Sequence, residues 1–395
     1  DTAEKARALM SETPRSGKGV EPLQVVRLSE QYFADMASSW QELVFDSDSD
    51  PLFMGWPWLY TWWETWAESL GLELALFGVF TEEGMLVGLA PFYCHHFRLP
   101  LGYELRRLHF LGNAWRISST VRTEYCGLVI RRGWEDPVVE QVMSEVCRLD
   151  WQEMVVCDQG VQDLLQCQET FDRLGQTVST VPRVIDSGVR VVTDGSFEDW
   201  LGQLGRNTRL KIYNRRNYLN QRGELRFRYV SEEETDDFFR SLNRFHERRW
   251  GKPCFEPDAL RFHQRLLARL TPDNRALSVL EFNGEPVSML YDLRVGDSQY
   301  NLQTGFLESF DAKVALGTLH LGFAIEQSFR DPQVLYYDLL AGQGKNTFYK
   351  SHFQGEHVHF LTVQYARHPV MRYIYRLQSW LPGRLRQSIN RFVRL

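Results

Sequence analysis

The chain has 395 residues, more than one hydrophobic core ordinarily serves, so two domains are expected. It is 43% hydrophobic and 24% charged with a net charge of −6, which excludes disorder as the default and argues against general DNA affinity, for which a basic domain is needed. The six cysteines, Cys94, Cys126, Cys147, Cys157, Cys167 and Cys254, have neither C-x-x-C spacing nor histidines at zinc-finger distance, so they read as reduced thiols of a cytoplasmic protein and no metal is expected.

No apolar run reaches transmembrane length, and the N-terminal stretch lacks the apolar core of a signal peptide. Residues 1–22 are polar, with Pro14, Gly17 and Gly19, and read as a flexible leader. A first strand is expected over 23–28 and a helix over 31–45. The break Asp46-Ser-Asp-Ser-Asp50-Pro51 is placed to cap the helix that follows. That helix, 55–70, sets Trp58, Trp62 and Trp66 on one face, a pattern that suits packing against a sheet.

Strands are expected over 72–80 and 85–93, joined by a turn at Gly84, followed by a basic loop over 98–109 and a strand over 125–130. Helix 138–149, strand 153–157, helix 161–174 and strand 176–185 complete a first half. The second half repeats the order. A strand over 225–230 and helices over 232–250 and 257–270 lead to a hairpin, 277–282 and 287–295, across the Asn283-Gly284 turn. Between the halves, a helix over 206–222 carries Arg206, Arg209, Lys211, Arg215, Arg216 and Arg222 with no acid. It reads as a solvated linker, a tRNA contact or a wall for cofactor phosphates.

Residues 299–353 read as strand, turn, helix, strand, glycine turn, helix. A helix that starts directly after a strand presents unpaired N–H groups and a partial positive charge, and here Lys313 and Gly317 stand at that start. Lys313 would add a point charge, and Gly317 would let a phosphate approach the backbone. The last strand is expected over 357–365. The segment 366–395 has seven arginines and no acid, interleaved with apolar residues such as Tyr373, Leu377 and Trp380. It forms basic amphipathic helices suited either to an anionic membrane surface or to packing over the domain's back.

The second half resembles the GNAT acyltransferase fold in its element order. More narrowly, Arg215-Arg216, Phe245-His246 through Arg249-Trp250, Leu316-Gly317, and Tyr337-Asp338 through Gly342 followed by Tyr349-Lys350 resemble the CelD/BcsL-like branch of acyltransferases. That branch is itself similar to Fem-type aminoacyl transferases, which have two GNAT-like halves. The resemblance implies an α/β fold of two tandem GNAT-like domains, mixed sheets with helices on both faces. Its divisions are a degenerate N-terminal domain over 23–187, a linker with the basic helix over 188–224, a catalytic domain over 225–366 and the tail 367–395. It also implies acyl-CoA, or an acyl-carrier thioester, as donor, with the turn Lys313-Val-Ala315-Leu316-Gly317-Thr318 at its pyrophosphate. That turn has one glycine where the family generally has two.

Acyl transfer needs a base for the attacking amine or hydroxyl, a backbone donor for the oxyanion and an acid for the leaving group. The resemblance places Tyr349 as that acid, with Lys350 beside it. Asp338, a carboxylate in an apolar strand, is the base expected from the residues themselves, or else a buried structural acceptor. Glu308 and His352 are held in reserve, and His246 reads as a packing histidine. The expected acceptor is an amine or hydroxyl of an envelope- or polysaccharide-related molecule, reached from the cytoplasm or from the inner face of the membrane. The alternatives are aminoacyl transfer from charged tRNA and a non-catalytic scaffold of a membrane biosynthesis complex.

Overall fold

A computed structural model describes residues 22–99, 102–342 and 351–380. One continuous sheet of thirteen strands runs through the chain: β1 (Gln24–Leu28), β2 (Leu72–Phe80), β3 (Leu86–Arg98), β4 (Glu104–Phe110), β5 (Val129–Ile130), β6 (Glu153–Gln159), β7 (Ser179–Val192), β8 (Leu225–Tyr229), β9 (Ser278–Phe282), β10 (Glu285–Val295), β11 (Ser298–Phe306), β12 (Tyr336–Ala341) and β13 (Glu356–Ala366). The order across the sheet is β1-β2-β3-β4-β6-β13-β7-β12-β11-β10-β9-β8, with β5 on β3.

This order is nearly palindromic. Each half contributes antiparallel strands and then one parallel pair, β4 with β6 (Arg107 opposite Glu153) and β11 with β12 (Ser298 opposite Tyr336). The halves then exchange their last strands. β7, which ends the first half, pairs with β12 of the second, and β13, which ends the second, pairs with β6 of the first. β7 and β13 lie side by side in the middle from Arg190 opposite Glu356 to Ser179 opposite Ala366. The two repeats are therefore tied by backbone hydrogen bonds.

Several expectations change. The 31–45 helix is two, Glu30–Asp35 and Ala37–Phe45, broken at Met36 with ψ of 19°. Asp50 does not cap the Trp56–Leu70 helix, whose N-cap is Gly55; its carboxylate instead accepts from Leu52 and Phe53 N–H and closes the turn before that helix. The basic loop over 98–109 contains β4, because Arg107 is neutralised by buried Glu153 of β6 at 2.8 Å and can sit in a covered strand. The 125–130 strand shrinks to β5.

The basic helix is a composite of Arg206–Arg209, a π-helical turn Leu210–Asn214 and Arg215–Asn220. The wide turn lies where the helix Leu316–Arg330 crosses it so closely that a Cβ on Gly322 would stand 2.0 Å from the Ile212 carbonyl oxygen. Ile212 is fully buried, and Arg216 pairs with Glu326, so this segment is packed into the second half. The tryptophan face of Trp56–Leu70 meets the other half: Trp58 and Trp66 lie edge-on and tilted against Phe262 of the helix Pro257–Arg269, at 5.0 and 5.5 Å. Its indoles also hold the irregular segment 111–128, Trp58 Nε1 donating to Thr123 Oγ1 at 2.8 Å and Trp62 Nε1 to Thr120 Oγ1 at 3.2 Å.

Candidate active site

A parallel pair can stay paired only while its strands run together. β11 and β12 are in register only from Ser298 to Tyr300 and then diverge. Two local features drive them apart. β11 carries a bulge opposite β10: Tyr291 faces Gln303 and Asp292 faces Asn301, so Leu302 has no partner in the ladder. β12 turns at Leu340, whose φ of +57° is unusual for a bulky residue. The opening is a cleft of about 620 Å³ lined by Asn301 to Thr304 on one wall and Leu340 to Gly342 on the other.

Ala315, Gly317 and Thr318, three of the five residues expected to bind the donor, line this cleft. The helix they open, Leu316–Arg330, has no side-chain cap and no acid in its first turn, so no carboxylate of that turn competes for its first N–H groups. Leu316 is buried in the helix–sheet core, and Lys313 is exposed just before the helix. Gly317 also has a packing reason: a Cβ there would meet the Phe306 ring at 2.8 Å.

The first half supplies the other wall. Segment 111–128 brings Arg122 and Glu124 to the cleft and is locked in place. Gly112 has φ of +98°, and a Cβ there would overlap Thr123, whose hydroxyl donates to the Gly112 carbonyl at 2.6 Å. Arg122 clasps Asp158 of β6 in a two-pronged bond, 2.7 Å on each side, and reaches Asp186 of β7 at 2.9 Å. Glu124 is 4% exposed, and both its oxygens accept from Ala341 N–H, at 3.2 and 3.0 Å. Burial, with Asp158 and Asp338 nearby, pushes its carboxyl well above the usual carboxylate range, against the pull of Arg122 and the Ala341 N–H.

Asp338 lies where the sequence put it, in an apolar strand and 2% exposed. Its Oδ1 accepts from Leu340 N–H at 2.8 Å and its Oδ2 from the Tyr125 hydroxyl at 2.5 Å. It thus braces the Leu340 turn, which presents Ala341 to Glu124, and does not itself line the cleft. Tyr125, at φ of +53°, is a second strained residue beside Glu124. Asp50, in the same junction, accepts from Tyr300 at 2.8 Å, and burial raises its carboxyl to about 6.

Glu308 stands apart from the cleft, 63% exposed at its side chain and 3.6 Å from Arg249. His246 donates from Nε2–H to the Thr304 carbonyl at 3.0 Å and lines a neighbouring groove of about 660 Å³, which shares Val121, Phe255 and Gln303 with the cleft. His352 is exposed. Tyr349 and Lys350 lie outside the described residues. Among the described residues no group of three or more His, Cys, Asp or Glu is disposed to hold a metal ion. Sequence reasoning missed Glu124 because the segment that carries it has no periodicity; its one signal is that it is the single acid between Glu104 and Glu135.

Residues 206–351 match the family described as the acetyltransferase (GNAT) domain. The chain that carries this domain is an acyltransferase. The match begins at the basic helix, in keeping with the packing of Ile212 and Arg216 into the second half. The fold, two tandem GNAT-like halves, is similar to that of FemX, with 12% identity and a TM-score of 0.54 over 86% of this chain and 96% of that one. Two further similar structures are a conserved protein of unknown function from Bacteroides thetaiotaomicron (8% identity, TM-score 0.49, covering 88% of this chain and 100% of that one) and the C-terminal domain of a putative lysylphosphatidylglycerol synthetase from Agrobacterium fabrum (9%, 0.49, 87% and 95%). No curated protein sequence matches the chain.

Proposed function

We propose that the protein transfers an acyl group from acyl-CoA, or a related carrier thioester, to an amine or hydroxyl of an envelope- or polysaccharide-related acceptor, with Glu124 as general base. The observation that carries this reading is the placement of Glu124, proton-retentive and held by Ala341 N–H, in the same cleft as the donor turn Ala315–Thr318. A base must accept a proton near the working pH, and a carboxylate raised by burial does so.

In the proposed step the acceptor enters by the adjoining groove, whose walls include Ser118, Ser119, Trp250 and Lys252. Its N–H or O–H proton passes to Glu124 as its N or O attacks the thioester carbonyl carbon. A peptide N–H at the Leu302 bulge holds the oxyanion; the C–S bond then breaks, and the thiolate takes a proton, for which Tyr349 remains the proposed source. The first N–H groups of Leu316–Arg330 hold the donor's pyrophosphate, and Lys313 adds positive charge for the same donor. Asp338 is a positioning residue in this scheme.

The test is calorimetric titration with acetyl-CoA and palmitoyl-CoA, followed by thiol release in the presence of glucosamine. Saturable donor binding supports the reading; binding of a charged tRNA with no binding of either thioester would replace it with aminoacyl transfer.

We also infer peripheral attachment to the inner face of the membrane through the C-terminal segment. Among the described residues no helix is long and apolar enough to cross a membrane. The helix Pro369–Trp380 does expose Val370, Tyr373, Leu377 and Trp380, with Trp380 82% exposed, and the acid-free sequence 381–395 follows it. Residues 381–395 lie outside the described residues. Co-sedimentation with phosphatidylglycerol vesicles but not phosphatidylcholine vesicles, reduced by Tyr373→Ser with Trp380→Ser, is expected; equal binding to both or to neither would contradict it.

A further inference from the structure

The basic helix divides into cations that are neutralised and cations that are not. Arg216 belongs to the first group: it pairs with Glu326, and its guanidinium lies 3.6 Å over the Phe323 ring. Arg215 and Arg222 belong to the second. Both gather on the ring of Tyr218, their guanidinium carbons 5.4 and 3.6 Å from its centroid. Lys313, from the loop before the helix Leu316–Arg330, brings its ammonium to 5.8 Å from the same centroid.

The arrangement is built by hydrogen bonds. The Tyr218 hydroxyl donates to Asp311 Oδ2 at 3.0 Å, and Lys313 N–H donates to Asp311 Oδ1 at 2.7 Å, so the loop before Leu316–Arg330 is fastened to the basic helix. Arg222 is fixed by donating to the Tyr218 carbonyl at 2.9 Å. The Lys313 N–H foremost, then Tyr218 and the charges of Arg222 and Lys313, hold the Asp311 carboxyl below its usual value, so it is ionised and counts as one negative charge. Among the described residues none of the three cations comes within ion-pair distance of a carboxylate. Three positive charges therefore stand on one ring with a single anion at its edge. Like charges so collected repel, and a doubly charged anion relieves that repulsion.

Position decides which anion. Lys313 is two residues before Ala315, which lines the donor cleft, so the patch flanks the cleft at its phosphate end. A coenzyme A donor whose thioester lies beside Glu124 and whose pyrophosphate lies along Ala315–Thr318 ends in an adenosine that carries a phosphomonoester. We propose that Arg215, Arg222 and Lys313, organised on Tyr218, form a phosphomonoester site that recognises the 3′-phosphate at the adenosine end of the donor. The inference rests on the acyl-CoA reading and adds to it the residues that distinguish a 3′-phosphorylated donor from one without that group.

The experiment compares coenzyme A with 3′-dephospho-coenzyme A by calorimetry, on the wild type and on the double variant Arg215→Gln/Arg222→Gln. The wild type is expected to bind coenzyme A about tenfold or more tightly than the dephospho compound, the scale of one charge-assisted contact. The double variant is expected to bind both compounds at the wild-type dephospho level, with its circular dichroism spectrum unchanged. Equal binding of the two compounds by the wild type, or an equal loss for both in the variant, overturns the site while leaving the acyl-CoA reading in place. Binding of neither compound overturns that reading as well. A tRNA transcript that binds the wild type and loses binding in the double variant, while the two small compounds bind equally, assigns the patch to RNA instead.

Discussion

The two halves of the molecule repeat one plan, antiparallel strands followed by a parallel pair with a helix leading into its second strand, yet they differ where an anion would bind. Neither of the two helices has a side-chain cap, but in the second half that helix, Leu316–Arg330, has Lys313 before it and no acid in its first turn. In the first half the corresponding helix, Glu135–Arg148, has Glu135 and Asp136 in its first turn, and the space against its sheet is a pocket of about 70 Å³ lined by Phe92, Phe110, Val139 and Met154. Two carboxylates at a helix N-terminus occupy the place a phosphate would take. The first half has kept the fold and filled the cleft, and it serves the second half with a segment, 111–128, that delivers Glu124.

The largest effect follows from that division of labour. Glu124→Gln removes the proposed base while keeping an acceptor for Ala341 N–H. Turnover is expected to fall by roughly 10²–10⁴-fold, the range for loss of a general base, with donor affinity and fold retained. An unchanged rate in this variant would return the base to another residue.

Making the second half resemble the first gives the next effect. Ala315→Asp places a carboxylate at the start of Leu316–Arg330, where it should cap the helix and so not lower the melting temperature. Donor affinity is nevertheless expected to drop about tenfold or more, since the new charge competes for the N–H groups assigned to pyrophosphate. Tighter donor binding by Ala315→Asp would break the comparison of the two helix starts.

The smallest effect is on stability, at the junction of the halves. Asp50, from the first half, accepts from Tyr300 of the second, and its carboxyl is raised from 3.8 to about 6. A raised acid binds its proton more tightly in the folded state. Its contribution to stability is therefore full below pH 3.8 and is lost as pH rises through about 6. The shift corresponds to on the order of 3 kcal/mol. Urea unfolding followed across that window should show a flatter pH dependence in Asp50→Asn than in the wild type, and parallel curves would remove Asp50 from the account.

Much of the plan was legible in the sequence, because the near-continuous apolar run of 72–80 and the helical spacing of Trp58, Trp62 and Trp66 record burial directly. The Asn283-Gly284 hairpin and the helix start at Gly317 were legible for the same local reason. β4 was not, since Arg106 and Arg107 look like a loop until Glu153 is placed opposite Arg107. The exchange of β7 and β13 was not legible either, because the sequence of a strand records which face is apolar and leaves its neighbour undefined. Of the site, the helix start at Ala315–Thr318, proposed for the donor, could be read from its local pattern, and Asp338 could be found, with the choice between base and structural acceptor left open. Glu124 depends on Trp58, Thr123, Arg122 and Ala341, contacts that no local pattern announces.

The central claim is that the first half delivers a proton-retentive carboxylate into the donor cleft of the second. The most direct measurement is an infrared titration of the carboxyl bands of the wild-type protein, with Glu124→Gln subtracted. The account predicts a difference band that titrates well above the ordinary glutamate value of 4.5. A Glu124 band that titrates at that ordinary value would contradict it.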